Sequence, residues 1–373
     1  MKARKSLASA ATKRRKLPAG GKSFSLPESR KFDSLIVTHL PNIRFLTGFT
    51  GSSGCVLITP RKRFFFTDFR YREQAANEVK DFEVHITPGA ALDGCCRYII
   101  ARRLKTGVIG FEGNQISLRE HKLLRKLLKG SRFFDASGEV EKQRRIKSRQ
   151  EITHLRRACA IADAAYKKLA RSKVIGKSEK EIAWMLESTM RQAGSGPMPF
   201  EIIVASGPRS AMPHGAASGR IIGKGELVVV DLGATVAGYC SDATRTFATG
   251  PLKPKQEKIY QVVEAAQQMA LEDVAAGMSC AEIDKIARDH IAAAGFGKAF
   301  GHSLGHGVGL EAHEGPVLSP KSKEVLESGM TVTIEPGIYL EGIGGVRIED
   351  TVLVNARGAE RLTKFPRGLT SLK

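Results

Sequence analysis

Three histidines lie in the glycine-rich segment GHSLGHGVGLEAHEGP, residues 301–316: His302, His306 and His313. Histidine is a frequent metal ligand and a common general base at neutral pH. Their spacings of four and seven residues suit a solvated helical turn equally well. The segment alone therefore leaves open a metal site, a general-base cluster and a polar loop, and carboxylates elsewhere in the chain must decide.

Four carboxylates occupy matching positions in two β-like segments. Asp231 ends the apolar run LVVVD and Asp242 lies on the arm that returns from it; Glu335 ends MTVTIE and Glu349 lies on the second returning arm. Taken singly, each is as consistent with a turn or surface acid as with a ligand. Burying four converging carboxylates is costly unless a cation compensates their charge. The matched pairs, joined by the histidine segment, therefore predict a site for two divalent ions.

The elements around these carboxylates predict one domain, residues 141–373. Both β segments follow one plan, an apolar run into a turn and then a return strand, so the domain is predicted to be internally duplicated. A long helix is predicted from Pro254 to a stop at Gly277. Further helices are predicted from three capping boxes that open amphipathic patterns: Ser148 with Glu151, Ser178 with Glu181 and Ser279 with Glu282.

Residues 30–140 are predicted to form a separate α/β domain. Short apolar runs such as GCVLIT and RFFFTD alternate there with helical patterns such as LREHKLLRKLL. The intervening NIRFLTGFTGSSG is predicted to be a glycine- and serine-rich connection between strands. It is not a P-loop, because no Gly-Lys-Ser/Thr follows.

The formal net charge of +21 raises the question of nucleic-acid binding, but much of the excess lies at the N-terminus, where residues 1–27 hold eight Lys/Arg and no acid. We expect residues 1–29 to be a disordered basic tail, and a targeting segment stays an open alternative. No run has the length of a membrane helix, and the six cysteines show no C-x-x-C spacing. We therefore expect a cytoplasmic protein with reduced thiols.

Three motifs, HSLGHGVG, TIEPGIY and VRIEDT, give the chain a family resemblance over about residues 30–365. It resembles the pita-bread metallopeptidases, which include aminopeptidase P, prolidase and methionine aminopeptidase. The resemblance implies an α/β creatinase-like N-terminal domain followed by an α+β pita-bread domain with an internal pseudo-twofold duplication. It also implies a dinuclear metal site with the ligands Asp231, Asp242, His306, Glu335 and Glu349.

In that family Asp242 and Glu349 would bridge the two ions, Asp231 would hold one, and His306 with Glu335 the other. Manganese is the expected metal because carboxylates predominate, with cobalt, zinc and iron as alternatives. Two divalent ions that share a water lower its pKa toward ~7 and make it a nucleophile at neutral pH.

The resemblance assigns further roles beside the metal. Glu335 would accept the proton of the water, His214 would stabilise the oxyanion and His313 the tetrahedral intermediate. His302 and His313 would contact the substrate, and Arg347 would orient the substrate or the neighbouring carboxylates. A surface ion pair with Glu349 or Asp350 is the plainer interpretation of Arg347.

The expected activity is hydrolysis of the bond between an N-terminal residue and proline, as in an Xaa-Pro aminopeptidase. A dipeptidase restricted to Xaa-Pro is the alternative, and a noncatalytic protein- or nucleic-acid-binding relative is a more remote one. The complete ligand set argues against that remote alternative and against creatinase, which works without the metals. The expected partners are a peptide with proline at its second position and a second copy of the chain, with no nucleic acid and no membrane.

Overall fold

The computed structural model describes residues 31–373; the tail predicted for residues 1–29 lies outside the described residues. The elements of the first domain are β1 (Ser34–Val37), α1 (Leu40–Thr47), β2 (Cys55–Ile58), β3 (Arg63–Asp68), α2 (Arg72–Glu78), β4 (Glu83–Thr87), α3 (Ala91–Ala101), β5 (Val108–Phe111), α4 (Leu118–Leu127), β6 (Arg132–Asp135) and α5 (Glu139–Arg145). Its six strands form one mixed sheet in the order β4-β3-β2-β1-β5-β6.

Helices cover both faces of this sheet. Helices α3 and α4 pack on one face through Leu92, Cys95 and Leu124, and α1, α2 and α5 pack on the other through residues such as Ile43 and Val140. Strands buried on both faces need apolar side chains at successive positions. This explains the continuous apolar runs of β1, β2 and β3.

The second domain begins with two helices and then alternates sheets and helices. Its elements are α6 (Arg149–Arg171), α7 (Glu179–Gln192), β7 (Ile203–Ser206), β8 (Leu227–Leu232), β9 (Thr235–Val236), β10 (Tyr239–Cys240), β11 (Ala243–Ala248), α8 (Pro254–Asp273), α9 (Cys280–Ala293), β12 (Gly305–Gly307), β13 (Glu314–Leu318), β14 (Thr331–Ile334), β15 (Gly337–Leu340), β16 (Gly344–Arg347), β17 (Asp350–Asn355), β18 (Gly358–Arg361) and β19 (Thr370–Ser371).

Two larger sheets and two helix pairs make up the halves of this domain. The first sheet has the order β19-β11-β8-β7, and its apolar side chains pack under α6 and α7. The second has the order β13-β12-β14-β17-β18, and its core is shared with α8 and α9. The predicted duplication is confirmed by this repeated arrangement of a helix pair on a sheet. Within residues 31–373, no helix is both long and apolar enough to cross a bilayer.

The three predicted capping boxes are all present at the starts of α6, α7 and α9, with the serine hydroxyl accepting from the N3 backbone and the glutamate accepting from the serine backbone. Pro254 is the first residue of α8, as predicted. All six cysteines are buried and free.

Two element predictions are wrong. The supposed connection NIRFLTGFTGSSG contains most of helix α1, which ends where Gly48 takes a left-handed conformation and donates its N–H to the Arg44 carbonyl. Helix α8 ends at Asp273, because Val274 leaves the helical conformation with ψ 115°, and Gly277 lies in the following turn with φ +95°.

Candidate active site

Strand pairing brings the carboxylates of each half together. In the first half Asp231 faces Thr244 across the β8–β11 pair, so Asp242, next to the start of β11, lies beside the end of β8. In the second half Ile334 faces Asp350 across the β14–β17 pair, which places Glu335 next to Glu349. The same local arrangement thus positions both predicted pairs of acids.

Hydrogen bonds join the two halves at the site. The Thr244 hydroxyl donates to Glu349 Oε2 at 2.7 Å, and the Glu349 N–H donates to the Thr244 carbonyl at 3.1 Å. The Thr351 hydroxyl donates to the Asp242 carbonyl at 2.7 Å. Each half therefore fixes the backbone that carries the other half's carboxylate.

The five predicted ligands converge on one cavity of about 380 Å³. Ligand atoms lie within 4.8 Å of one another in overlapping groups: Asp231, Asp242 and Glu349; His306, Glu335 and Glu349; and Asp242, His306 and His313. His306 Nε2 lies 3.2 Å from Glu335 Oε1 and 3.7 Å from Asp242 Oδ2. Asp242, His306 and Glu349 each belong to two of these groups and so link the set together.

The four carboxylates of this set carry more negative charge than the chain compensates. We call them the acidic cluster: Asp231, Asp242, Glu335 and Glu349. Burial, followed by repulsion from Glu349 and Asp231, raises the pKa of Asp242 well above its ordinary value. Burial, followed by repulsion from Glu335 and Asp231, does the same for Glu349. Burial also raises the pKa of Asp231, and its buried Oδ1 has no hydrogen-bond partner.

This donor set fits divalent cations. It offers carboxylate oxygens and one imidazole nitrogen, which suit manganese, cobalt, zinc or iron. Raised pKa values and an unpartnered buried oxygen are what a cation would relieve, because its charge favours the ionised carboxylates.

Arg347 is buried inside the site, so the interpretation as a surface partner of Glu349 or Asp350 is wrong. Its Nη2 donates to Asp231 Oδ2 at 2.7 Å and its Nε to the Thr244 hydroxyl at 3.0 Å. Among the described residues it is the only guanidinium that forms an ion pair with the acidic cluster. Asp350 pairs instead with Arg245, at 2.7 Å.

Sequence reasoning missed Tyr339. Its hydroxyl lies 2.9 Å from Arg347 Nη1 and 3.0 Å from His302 Nε2. Tyr339 therefore links the arginine that pairs with Asp231 to a histidine in the cavity wall. The β15–β16 hairpin creates this contact by pairing Gly337 with Arg347. The available signal was a tyrosine four residues after Glu335 in TIEPGIY.

The other predicted histidines line the same cavity. His214 and His313 are exposed in it, and His302 is half-buried. The His313 ring lies 4.3 Å, centroid to centroid, from that of His306. Burial lowers the pKa of both His302 and His313, which favours their neutral forms. The structure thus brings together every residue predicted for the site.

A second charged group, also missed from the sequence, lies behind His313 at the contact between the domains. We call it the interdomain network: His39, Arg144, Lys147, Glu311 and Glu314. Arg144 Nη2 lies 2.5 Å from Glu314 Oε2 and 2.8 Å from Glu311 Oε2, and Lys147 also donates to Glu314. His39 Nε2 lies 3.3 Å from Glu311 Oε1. Because Glu314 directly follows His313, this network fixes the segment that carries the histidine.

Two family models match this chain. The model described as Metallopeptidase family M24 matches residues 153–356, and the model described as Creatinase/Prolidase N-terminal domain matches residues 26–146. The first match contains the whole acidic cluster and the histidines of the cavity.

Individual relatives extend the similarity to nearly the full chain. The Xaa-Pro dipeptidase of Pyrococcus horikoshii is 38% identical over 93% of this chain and 97% of its own length. The solved structure of an Xaa-Pro dipeptidase from Bacillus anthracis has 42% identity and a TM-score of 0.88, covering 91% of this chain and 95% of that one. An X-Pro aminopeptidase from Thermotoga maritima has 36% identity and a TM-score of 0.83, covering 91% and 98%.

Proposed function

This chain belongs to metallopeptidase family M24, and we propose that within the family it acts as an Xaa-Pro dipeptidase, releasing the residue that precedes proline. The expected fold, a creatinase-like domain followed by a duplicated pita-bread domain, is confirmed, and so is the expected class, a metallopeptidase. From the sequence alone an aminopeptidase is the expectation and a dipeptidase the alternative. Two of the three relatives above are named dipeptidases, which supports the alternative.

The observation that carries the proposal is the convergence of all five candidate ligands on one cavity. We propose that Asp231, Asp242, His306, Glu335 and Glu349 would together hold two divalent ions. Such ions, when bound, polarise the scissile carbonyl and lower the pKa of the attacking water. Two ions, manganese as the metal and a homodimer all stay predictions.

Glu335 is the proposed acceptor of the proton from that water. Burial acts to raise its pKa, but the hydrogen bond from His306 and the charge of His306 lower the pKa below its ordinary value. The carboxylate is therefore ionised at neutral pH in the metal-free chain, and a cation beside it, in place of the His306 proton, would favour the same ionised form. The Thr333 hydroxyl, 3.1 Å from Glu335 Oε1, orients it.

The cavity histidines are proposed to stabilise charge on the substrate. A neutral His313 keeps one ring N–H with which to stabilise the tetrahedral intermediate, and His214 is placed to donate to the oxyanion from the same cavity. His302 is proposed to contact the substrate, held by the Tyr339 hydroxyl at 3.0 Å. Arg347 is proposed to act as a positioning residue, because its ion pair fixes Asp231.

Proline explains the need for a dedicated site. Its nitrogen carries no hydrogen and its ring restricts the preceding residue, so a peptidase that aligns its substrate through that N–H fails on this bond. A peptide with proline at its second position is therefore the proposed substrate.

The test uses protein stripped of metal and reloaded with Mn²⁺, Co²⁺ or Zn²⁺. We expect metal-dependent release of alanine from Ala-Pro, faster than from Ala-Pro-Ala, and no release by Asp242→Ala. Faster cleavage of Ala-Pro-Ala would restore the aminopeptidase assignment. Failure to cleave either peptide with any of the ions would overturn the proposed function.

A further inference from the structure

A separate group of possible metal ligands lies in the first domain, outside the cavity of the acidic cluster. We call it the linker site: His39, Glu112 and Glu141. Each residue offers one ligand atom, and the three atoms lie within 4.8 Å of one another. His39 directly precedes α1, Glu112 directly follows β5, and Glu141 lies in α5, the helix that leads into the second domain.

The carboxylate of Glu141 is buried without a partner. Neither Oε1 nor Oε2 has a hydrogen-bond partner among residues 31–373, and both oxygens are shielded from solvent. In the same helix Glu139 instead pairs with Lys142 at 3.1 Å on the surface. An ionised carboxylate that has left water is strongly disfavoured unless a positive charge compensates it. Glu141 therefore indicates a positive ligand at this point.

Glu112 brings a second carboxylate to the same place. It is only 1% exposed, and its Oε2 accepts from the backbone N–H groups of Thr38 and His39 at 2.7 and 2.8 Å. Its Oε1 accepts from the Asn42 side-chain amide at 2.5 Å. These donors fix the position of the carboxylate, but none of them carries a full charge. They leave the repulsion between Glu112 and Glu141 without compensation.

The two ring nitrogens of His39 have different surroundings. Nε2 lies 3.3 Å from Glu311 Oε1, whereas Nδ1 is buried and has no hydrogen-bond partner in the described part of the chain. A histidine that binds a metal through one nitrogen usually donates its other N–H to a carboxylate, which fixes the tautomer. With the proton on Nε2, Nδ1 presents its lone pair beside the two glutamates.

We propose that His39 Nδ1, Glu112 and Glu141 bind a divalent transition-metal cation, separate from any ion at the acidic cluster. Each ligand atom lies about 2.0–2.2 Å from such a cation, so two ligands of one ion are about 3–4.4 Å apart. The three atoms need to move only slightly to reach that spacing. One imidazole with two carboxylates suits Zn²⁺, Mn²⁺, Co²⁺ or Fe²⁺ better than Mg²⁺ or Ca²⁺. A proton shared by the two glutamates is the alternative.

The position of the linker site gives the ion a structural role. It would connect α5 to the loop before α1 and to the end of β5, three separate parts of the first domain. Arg144, in the same helix, and His39 both contact Glu311 of the second domain. The ion would therefore fix the two residues of the first domain that reach Glu311. A cation that binds only the folded chain stabilises it.

The experiment counts the ions bound by the full chain. Metal-free protein is titrated with Zn²⁺ up to a small excess over the candidate sites, and bound zinc per chain is measured by mass spectrometry after desalting. Glu141→Gln, which keeps the shape and removes the charge, should bind about one ion fewer than wild type. Glu139→Gln, which removes the same charge from the surface of the same helix, should bind as many ions as wild type.

Diffraction locates the ion independently of any variant. Anomalous scattering at the zinc edge, from wild-type crystals grown with the same small excess of Zn²⁺, should give a peak within bonding distance of His39 Nδ1, Glu112 and Glu141. This measurement decides the matter even if Glu141→Gln does not fold.

The inference does not depend on the proposed function, so peptide cleavage bears on neither result. A difference of one ion between Glu141→Gln and Glu139→Gln, together with the peak, supports the proposal. Equal zinc binding by wild type and Glu141→Gln overturns it and favours the shared proton. A peak that appears only in large excess of zinc marks an adventitious ion and also overturns it, as does a lost ion with no peak at His39 Nδ1.

Discussion

The acidic cluster and the interdomain network both place buried or half-buried carboxylates around His313, but they neutralise them differently. In the interdomain network Glu311 and Glu314 meet the side chains of Arg144, Lys147 and His39 within the chain itself. In the acidic cluster four carboxylates share one guanidinium and one imidazole. The first group is balanced by its own residues, whereas the second is not.

The pKa values follow this difference. Burial acts to raise the pKa of Glu311, but the hydrogen bond from His39 and the charge of Arg144 lower it below its ordinary value. Burial and mutual repulsion instead raise the pKa values of Asp242 and Glu349. A buried charge that is paired inside the chain serves the structure, and one left uncompensated points to a cation from outside.

The largest effect is expected for Asp242→Asn. We propose that this change removes a metal ligand, so it should lower turnover of Ala-Pro by about 10³-fold or more, the several kcal/mol that metal ions contribute to such reactions. Because it also removes a repelling charge, the metal-free variant should unfold at no lower urea concentration than the metal-free wild type. Turnover assays and urea unfolding check both parts. A metal-free variant that is clearly less stable would show that the acidic cluster is balanced without a cation.

Removing a positively charged side chain from the interdomain network should, in contrast, destabilise the protein. In Lys147→Met the buried Glu314 carboxylate loses one of its two cations, and the free energy of unfolding should fall by about 3 kcal/mol, the lower end for a broken buried pair because Arg144 still faces Glu314. Urea unfolding measures the loss. Lys142→Met is the matched control. Lys142 pairs with Glu139 within helix α5 and its side chain is exposed, so this change should alter stability by less than about 0.5 kcal/mol. Equal effects of the two variants would contradict the contrast.

The pH dependence of stability should also separate the two groups. An acid whose pKa is raised on folding binds more protons in the folded state, so its destabilising effect is absent below the unfolded pKa and develops as pH rises toward the folded pKa. Asp242 and Glu349 should therefore make the metal-free protein less stable at about pH 8 than at about pH 5. Saturating Mn²⁺ or Asp242→Asn should reduce this loss.

The contribution of the interdomain network to stability should depend on pH in the opposite direction. The lowered pKa of Glu311 gives stability that is present above its unfolded pKa and is lost as pH falls through the folded one. Urea unfolding of wild type and Glu311→Gln, from neutral pH to below the ordinary pKa of a glutamate, measures the contribution of Glu311 to stability. The prediction fails if the stability difference between wild type and Glu311→Gln stays constant or grows as pH falls below the unfolded pKa.

The contrast also shows what a sequence can reveal. The acids of the acidic cluster each stand at a strand end or on a return arm, so local pattern and spacing made them visible, as the capping boxes made α6, α7 and α9 visible. The interdomain network has no such pattern, because Arg144 and Glu314 are 170 positions apart and look like ordinary surface charges. Tyr339 was missed for the same reason, since its partner His302 lies 37 positions away. Helix α1 was missed because glycine and threonine at its end resemble a loop.

The smallest effect is expected for an ion pair on the exposed surface. Arg156 and Glu360 form an ion pair at 2.7 Å, but their side chains are 50% and 38% exposed, so water already solvates both charges. Arg156→Met should therefore lower the free energy of unfolding by less than about 1 kcal/mol, and the difference should shrink further in high salt. Urea unfolding in low and high salt, with Lys147→Met in parallel, makes the measurement. A loss as large and as insensitive to salt as that of Lys147→Met would mean that burial is not what separates the interdomain network from ordinary surface pairs.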